Sequence, residues 1–259
     1  MNTNFNFKRL TFRILLIILL SQFFLTFYFP SILRAESYDN IHNTQNDFNL
    51  SKISSKAFLV FDRNSNQVLI HNHGFDKLPM ASTTKIMTCL LALEYGNLND
   101  KVTISKNATT IHGSKLKLSS NQNSNITLKD LLYGLMLRSG NDAAIAIAEH
   151  ISGSYDNFTQ LMNKKSKELN LANTHFTSPH GLDNENHYTT AYELAILTDI
   201  ALENEDFKKI VSTNITSINH NNNLTQIQNT NDLLRKDNNF YGVKTGFTFN
   251  ARQMLSIRI

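Results

Sequence analysis

The stretch Ala81–Leu93, "ASTTKIMTCLLAL", sets a single lysine in an otherwise uncharged run. After Lys85 come Ile86, Met87, Cys89, Leu90, Leu91, Ala92 and Leu93, apolar on nearly every side of a helix. A helix that is apolar all round is a buried one, and a buried ammonium is costly unless paired or neutralised. The run predicts a central helix from about Ser82 to Tyr95, stopped at Gly96. It also poses the question of what Lys85 does inside it.

Upstream, Ala57–Phe61 and Gln67–His71 bracket a turn at Asp62–Asn66 and read as a β-hairpin. Downstream, Thr127 and Asp130 form a capping-box pattern. It opens a helix whose Leu128, Leu131, Leu132, Leu135 and Met136 make one core-facing stripe. A second buried helix runs through Ala143–Ile151, and Phe158, Leu161, Met162 and Leu169 mark a third. After the loop "SPHGLDNENHY", Thr190 and Glu193 cap a further helix carrying Leu194, Leu197 and Ala201. Past Asn204 the pattern turns to strands: Asn214–Ile218, Leu224–Gln228 and Tyr241–Thr245. Strands, then helices, then strands again predict an α/β sandwich, with an antiparallel sheet built from both chain ends around an inserted helical block.

Charge places the protein and excludes one class of partner. Residues 1–35 carry Lys8, Arg9, Arg13 and Arg34 and no acid, which accounts for the whole formal net charge of +4. The remainder is balanced, so no basic footprint for nucleic acid is present. The same 35 residues read as a secretory signal: basic residues, then the apolar run Ile14–Phe29, Pro30 and a small residue at Ala35. A membrane span usually needs about 20 apolar residues, so membrane contact is expected only through this segment if it stays uncleaved. Residues 36–56 form a polar linker rich in Asn and Ser. The lone Cys89 sits in the apolar helix, where a free cysteine behaves as a small hydrophobe.

Three short polar clusters interrupt this scaffold: Ser82-Thr83-Thr84-Lys85, Ser139-Gly140-Asn141 and Lys244-Thr245-Gly246. Residues i and i+3 share a helix face, so Ser82 and Lys85 are neighbours. Burial lowers a lysine's pKa, and a second cation such as Lys244 pushes the same way. A neutral Lys85 amine could accept the Ser82 proton and activate the hydroxyl as a nucleophile. Singly, each cluster has a plain alternative. Ser82 could cap the helix with Lys85 reaching solvent, Ser139-Gly140 could end a helix, and Lys244 could guard an edge strand. Their joint occurrence, in this order, favours a site.

The set S-x-x-K, S-x-N and K-T-G, with "LLYGLMLRSGNDAAIAIAEHISGS" and "GVKTGFT" around it, resembles the low-molecular-mass serine D-alanyl-D-alanine carboxypeptidases, a penicillin-binding protein family. The resemblance spans residues 57–250 and implies a penicillin-binding carboxypeptidase domain there. It implies that Ser82 attacks the carbonyl between the two terminal D-alanines of a peptidoglycan stem peptide, with Lys85 as general base. Ser139 would relay a proton to the leaving amine and Asn141 would hold the substrate amide. Lys244 and Thr245 would grip the terminal carboxylate, Gly246 would complete the substrate-binding set, and the backbone N–H groups of Ser82 and Phe247 would form the oxyanion hole. β-Lactams would act as acylating inhibitors, and no cofactor or metal is implied. His175, His180 and His187 lack a compact ligand spacing and are expected to order their loop.

A class A β-lactamase shares the three clusters but would carry aspartate where this chain has Gly140. Glu168 does not fit its deacylating motif. Only the 13 residues from Phe247 to Ile259 follow K-T-G, whereas family members continue through further strands, a helix and mostly a second domain. Residues 251–259 thus read as a divergent tail, leaving an incomplete sheet with the K-T-G strand short of outer neighbours. A truncated, non-catalytic penicillin-binding remnant is the alternative this implies.

Overall fold

Every residue from Lys85 to Ala92 is buried, and the helix they form is the axis round which the rest is packed. In this computed structural model the described residues are 53–120, 125–221, 223–236 and 239–258. All elements lie in the unit Ser55–Ile259. The signal segment and nearly all of the polar linker lie outside the described residues.

The order is β1 (Phe58–Asp62), β2 (Gln67–Asn72), a 3₁₀ turn (Ala81–Thr84) and α1 (Lys85–Tyr95). Then come α2 (Lys106–Thr110), α3 (Leu128–Leu137), α4 (Asn141–Ser152), α5 (Tyr155–Glu168), α6 (Ala191–Ala201) and α7 (Glu205–Ser212). The chain closes with β3 (Ile215–His220), β4 (Asn223–Gln228), α8 (Leu233–Lys236), β5 (Tyr241–Thr248) and β6 (Arg252–Arg258). Helices α3, α4 and α6 pack on α1, and the core they share includes Ile86, Met87, Leu91, Leu131, Ile147 and Phe207, none more than 2% exposed. Each large apolar side chain so buried contributes about 1.5–3 kcal/mol.

The capping box is present in both halves. Thr127 Oγ1 accepts from the Asp130 N–H and Asp130 accepts from the Thr127 N–H. At α6 only half of the predicted box forms: Thr190 accepts from the Glu193 N–H, but the Glu193 carboxylate turns away to Asn173 N–H and Thr174 Oγ1.

Among the described residues strands occur only as antiparallel hairpins, β1–β2, β3–β4 and β5–β6. The fold is the α/β arrangement expected, small antiparallel sheets from both ends of the chain around a helical block. Among the described residues, however, the first and last hairpins share no strand hydrogen bonds. They are bridged by α6, which touches both β1 and β6. Phe61 of β1 meets Tyr192 edge-on at 6.4 Å, Arg63 pairs with Asp199 at 2.8 Å, and Thr198 bonds Ser256 of β6 at 3.0 Å.

Two sequence expectations need correction. The chain does not pass directly from Asn204 to strands. Asn204 caps α7 by accepting from the Phe207 N–H, and Phe207, Ile210 and Val211 at i, i+3 and i+4 bury its inner face. Nor is the K-T-G strand without a neighbour. Arg252–Arg258, read as a divergent tail, pairs with β5 in register from Lys244↔Ser256 to Thr248↔Arg252. Its residues alternate, with Met254, Ser256 and Arg258 turned inward and Leu255 and Ile257 outward, so the apolar pair lies on the exposed face and polarity alone does not announce which side is buried.

Candidate active site

The chain enters α1 through a turn shaped by its own hydroxyls. Thr83 Oγ1 donates to Met80 O at 2.5 Å and Thr84 Oγ1 to Ala81 O at 2.7 Å. Such back-bonding competes with regular helix, and the first turn is accordingly 3₁₀. Ala81 takes a left-handed φ of 47°. Ser82 is therefore not an N-cap. No side chain caps either the turn or α1, and Ser82 Oγ is left to face the cluster.

Lys85 does not reach solvent. It is 0% exposed, and its Nζ lies 3.0 Å from Ser82 Oγ, 2.8 Å from Asn141 Oδ1 and 2.7 Å from His180 O. Two of these neighbours are carbonyl-type oxygens that can only accept, while the third is a hydroxyl that can also donate. A neutral amine has two N–H groups and one lone pair. In that neutral form, with the N–H groups spent on Asn141 and His180, the lone pair would face the Ser82 hydroxyl, whereas an ammonium donates to it. Burial drives the Lys85 pKa well below the ordinary lysine value, Lys244 adds to the depression, and Asp142 opposes it. The three oxygens suit the three N–H groups of an ammonium as well as a neutral amine, so it is burial, helped by Lys244, that favours the neutral form.

Asn141 opens α4, and its Nδ2 donates to His112 O at 2.8 Å, which fixes the amide with its oxygen toward Lys85. Ser139, two residues earlier, is 8% exposed and holds a left-handed φ of 60°. The strained residue at this junction is the serine and not Gly140, which is extended and precedes α4. Strain of this kind costs about 1–3 kcal/mol and clusters at sites.

β5 supplies the third cluster. Lys244 is 1% exposed and donates to Thr245 O at 2.8 Å. Burial holds its pKa down at about 7. It does not guard an exposed edge. Thr245 Oγ1 bonds Thr230 Oγ1 at 2.7 Å, and Thr230 N–H donates to Leu137 O at the end of α3. Gly246 runs against the turn that carries Ser82: a Cβ there would stand 2.9 Å from Ser82 N. Lys85 is thus in direct contact with both Ser82 and Asn141, Gly246 abuts Ser82, and Lys244 is close enough to depress Lys85.

Several positions that the sequence reading passed over hold this cluster in place. The loop after α5 clamps it from one side: Thr88 Oγ1 donates to Pro179 O at 2.7 Å and His187 bonds Thr84 at 2.7 Å. Gly181, at φ 85°, packs so closely that a Cβ would fall 1.9 Å from Ala81 O. Asp142 is wholly buried and accepts from Leu116, Leu118 and Ala143 N–H. An acid inside an otherwise Ala- and Ile-rich helix is the same signal that singled out Lys85. His175 and His187 hydrogen-bond within the loop, and His180 Nδ1 accepts from Leu182 N–H. Among the described residues no three His, Cys, Asp or Glu side chains gather as metal ligands. Two open concavities of about 550 and 490 Å³ lie elsewhere and contain none of Ser82, Lys85 or Lys244.

Residues 42–258 match the peptidase S11 family, described as D-alanyl-D-alanine carboxypeptidase. The chain belongs to this family. The D-alanyl-D-alanine carboxypeptidase DacF of Bacillus subtilis is 38% identical over 208 residues, covering 78% of this chain and 53% of that protein. Among solved structures, the Streptomyces K15 DD-transpeptidase superposes with a TM-score of 0.72 at 30% identity, covering 78% of this chain and 82% of that one. The carboxypeptidase DacD of Francisella tularensis gives 0.73 at 25% identity, over 80% and 62%. The chain spans about half the length of the curated relatives it matches. The family match runs through β6 to residue 258, so the text does not diverge at Ala251.

Proposed function

We propose that this chain carries the acyl-transfer site of a serine D-Ala-D-Ala carboxypeptidase acting on peptidoglycan stem peptides. The observation that carries the reading is the buried Lys85 Nζ, 3.0 Å from Ser82 Oγ, with Asn141 Oδ1 and His180 O as its other two partners. Lys85 takes the hydroxyl proton as Ser82 Oγ bonds to the carbonyl carbon between the two D-alanines. The resulting oxyanion is met by the backbone N–H groups of Ser82 and Phe247, donors of a kind that often contribute most to acyl transfer. The oxyanion collapses, the C–N bond breaks, and Ser139 passes a proton to the departing D-alanine amine. Water then hydrolyses the acyl-enzyme.

Asn141 holds the substrate amide, while Lys244 and Thr245 take the terminal carboxylate, for which a lysine serves as a point charge. A β-lactam enters by the same path and stalls as the acyl-enzyme. No cofactor is called on. The substrate places the working protein on the cell-wall side of the membrane, and the basic, apolar residues 1–35 are the export signal. These assignments are supported by the family match and by the meeting of the three motifs.

The test is acylation by a fluorescent penicillin together with D-alanine release from a pentapeptide ending in D-Ala-D-Ala. Stoichiometric labelling abolished by Ser82→Ala, with D-alanine released, is the expected result. Labelling that survives Ser82→Ala overturns the nucleophile. Rapid penicillin turnover would indicate a β-lactamase, and no labelling at all a non-catalytic remnant.

A further inference from the structure

His187 is a buried histidine with a fixed tautomer that the chemistry above leaves unused. Its Nδ1 accepts the backbone N–H of Thr177 at 2.9 Å, so in the neutral ring the proton sits on Nε2. Burial, with His175 and Lys85 nearby, keeps the ring neutral, its pKa lowered to about 4. Nε2–H points at Thr84 Oγ1, 2.7 Å away, and the Thr84 hydroxyl spends its own proton on Ala81 O at 2.7 Å. The chain of donors runs in one direction, from the neck of a loop to the residue just before Ser82.

Ala81 needs that hold. Its left-handed backbone is disfavoured for a residue with a Cβ, yet it sets the direction in which the chain presents Ser82. The same loop, between Thr177 and His187, also supplies His180 O to the Lys85 amine. Its two ends are bolted together by the Thr177–His187 bond.

We infer that His187 is a positioning residue for the nucleophile, locking the Ala81–Ser82 turn through the Thr84 hydroxyl while closing the loop that aligns the base. The inference rests on Ser82 and Lys85 being the acylating pair. It goes beyond that reading by assigning a role to a side chain that touches neither the substrate nor the reacting atoms.

The two ring nitrogens can be tested apart. In His187→Asn the amide oxygen stands near Nδ1 and can still accept from Thr177, but nothing reaches Thr84. In His187→Gln the amide N–H₂ stands near Nε2 and can still donate to Thr84. The measurement is the acylation rate by a fluorescent penicillin, with the thermal midpoint recorded for each variant.

His187→Asn should acylate at least about tenfold more slowly, since sub-ångström misplacement of a reacting group is expensive, and His187→Gln should restore most of that loss. Thr84→Val should match His187→Asn, and the double variant should be no slower than either alone. His187→Asn acylating at the wild-type rate overturns the inference, as does equal loss in the Asn and Gln variants with similar thermal midpoints. A wild-type chain that is not acylated through Ser82 overturns the parent reading instead, so the two failures are distinguishable.

Discussion

Gly246 of the K-T-G strand lies flat against the backbone of Ser82. A methyl group built on it would meet Ser82 N at 2.9 Å and Ala81 Cβ at 3.1 Å. Backbone and a short side chain cannot swing aside as the end of a long side chain can. The glycine is required because two main chains approach here, one carrying Ser82 and the other running on to Phe247.

Gly246→Ala should therefore push the strand and the turn apart by a few tenths of an ångström. The proposed oxyanion donors would separate. Loss of one such donor costs roughly 10²–10³ in rate, and a fall in acylation rate of about that size is expected. The melting temperature should drop far less, since β5 keeps its ladder with β6. Penicillin acylation measured beside thermal melting checks this, and a wild-type rate in Gly246→Ala would remove Ser82 N–H from the oxyanion hole.

Lys244 gives a pH dependence with a definite sign. In the unfolded chain it titrates near the ordinary 10.5, and in the folded chain near about 7. Between those values the unfolded state holds a proton that the folded state has shed, so stability rises with pH across that window. Below about 7 the buried ammonium is charged and its cost is fully present. Lys85, lowered for the same reason, acts in the same sense. Lys244→Met should raise stability at pH 6 by about 1–4 kcal/mol, with the gain shrinking toward pH 10, read by urea unfolding at both pH values. Activity should move the other way: kcat/KM for the peptide should fall in Lys244→Met and lose the alkaline limb that begins near pH 7 in the wild type.

The proximity of the candidate residues is partly legible in the sequence, because it follows from short local patterns. An i, i+3 pair places Ser82 beside Lys85 in either a 3₁₀ turn or an α-helix, so the wrong helix type did no harm. A lysine in an apolar run announces burial wherever the helix packs. What escaped has a different character. The bonds from His187 to Thr84 and from Lys85 to His180 O cross about a hundred residues, and no local pattern encodes them. Helix α7 was missed because only eight residues carry its period, too few to stand out from the strands that follow. β6 was missed because the departure from familiar text was read as the end of structure, although strand pairing asks only for alternation and free backbone groups.

Gly181 is the plainest case of such a hidden requirement. Its φ of 85° is one that residues with a side chain rarely adopt, and a Cβ would lie 1.9 Å from Ala81 O and 2.5 Å from Thr84 Oγ1. Both penalties act at once, so Gly181→Ala should destabilise the fold by roughly 2–4 kcal/mol. It should also abolish acylation at temperatures where the protein remains folded, because the atoms displaced are those that set Ser82. Circular dichroism to establish folding and penicillin labelling at the same temperature separate the two effects. A folded variant that labels normally would show that the loop can retreat without disturbing the nucleophile.

Asp142 pulls stability and catalysis in opposite directions. Its carboxylate accepts Leu116 N–H at 2.9 Å, Leu118 N–H at 3.1 Å and Ala143 N–H at 3.0 Å, which holds the segment that runs past Asn141. Asp142→Asn keeps the shape but supplies one acceptor oxygen, and the amide's own N–H₂ faces a backbone donor it cannot satisfy. Hydrogen bonds to a charged group contribute about 1.5–3 kcal/mol, so a loss of that order is expected in urea. The anion also favours the charged form of Lys85. Removing it lowers the Lys85 pKa further, so the base stays neutral to a lower pH and the acid limb of kcat/KM moves down. Profiles of kcat/KM against pH for wild type and Asp142→Asn, taken where both are folded, test the coupling. An acid limb that does not move, or moves up, would mean that the carboxylate acts on the loop alone and that the Lys85 amine is tuned by burial and Lys244.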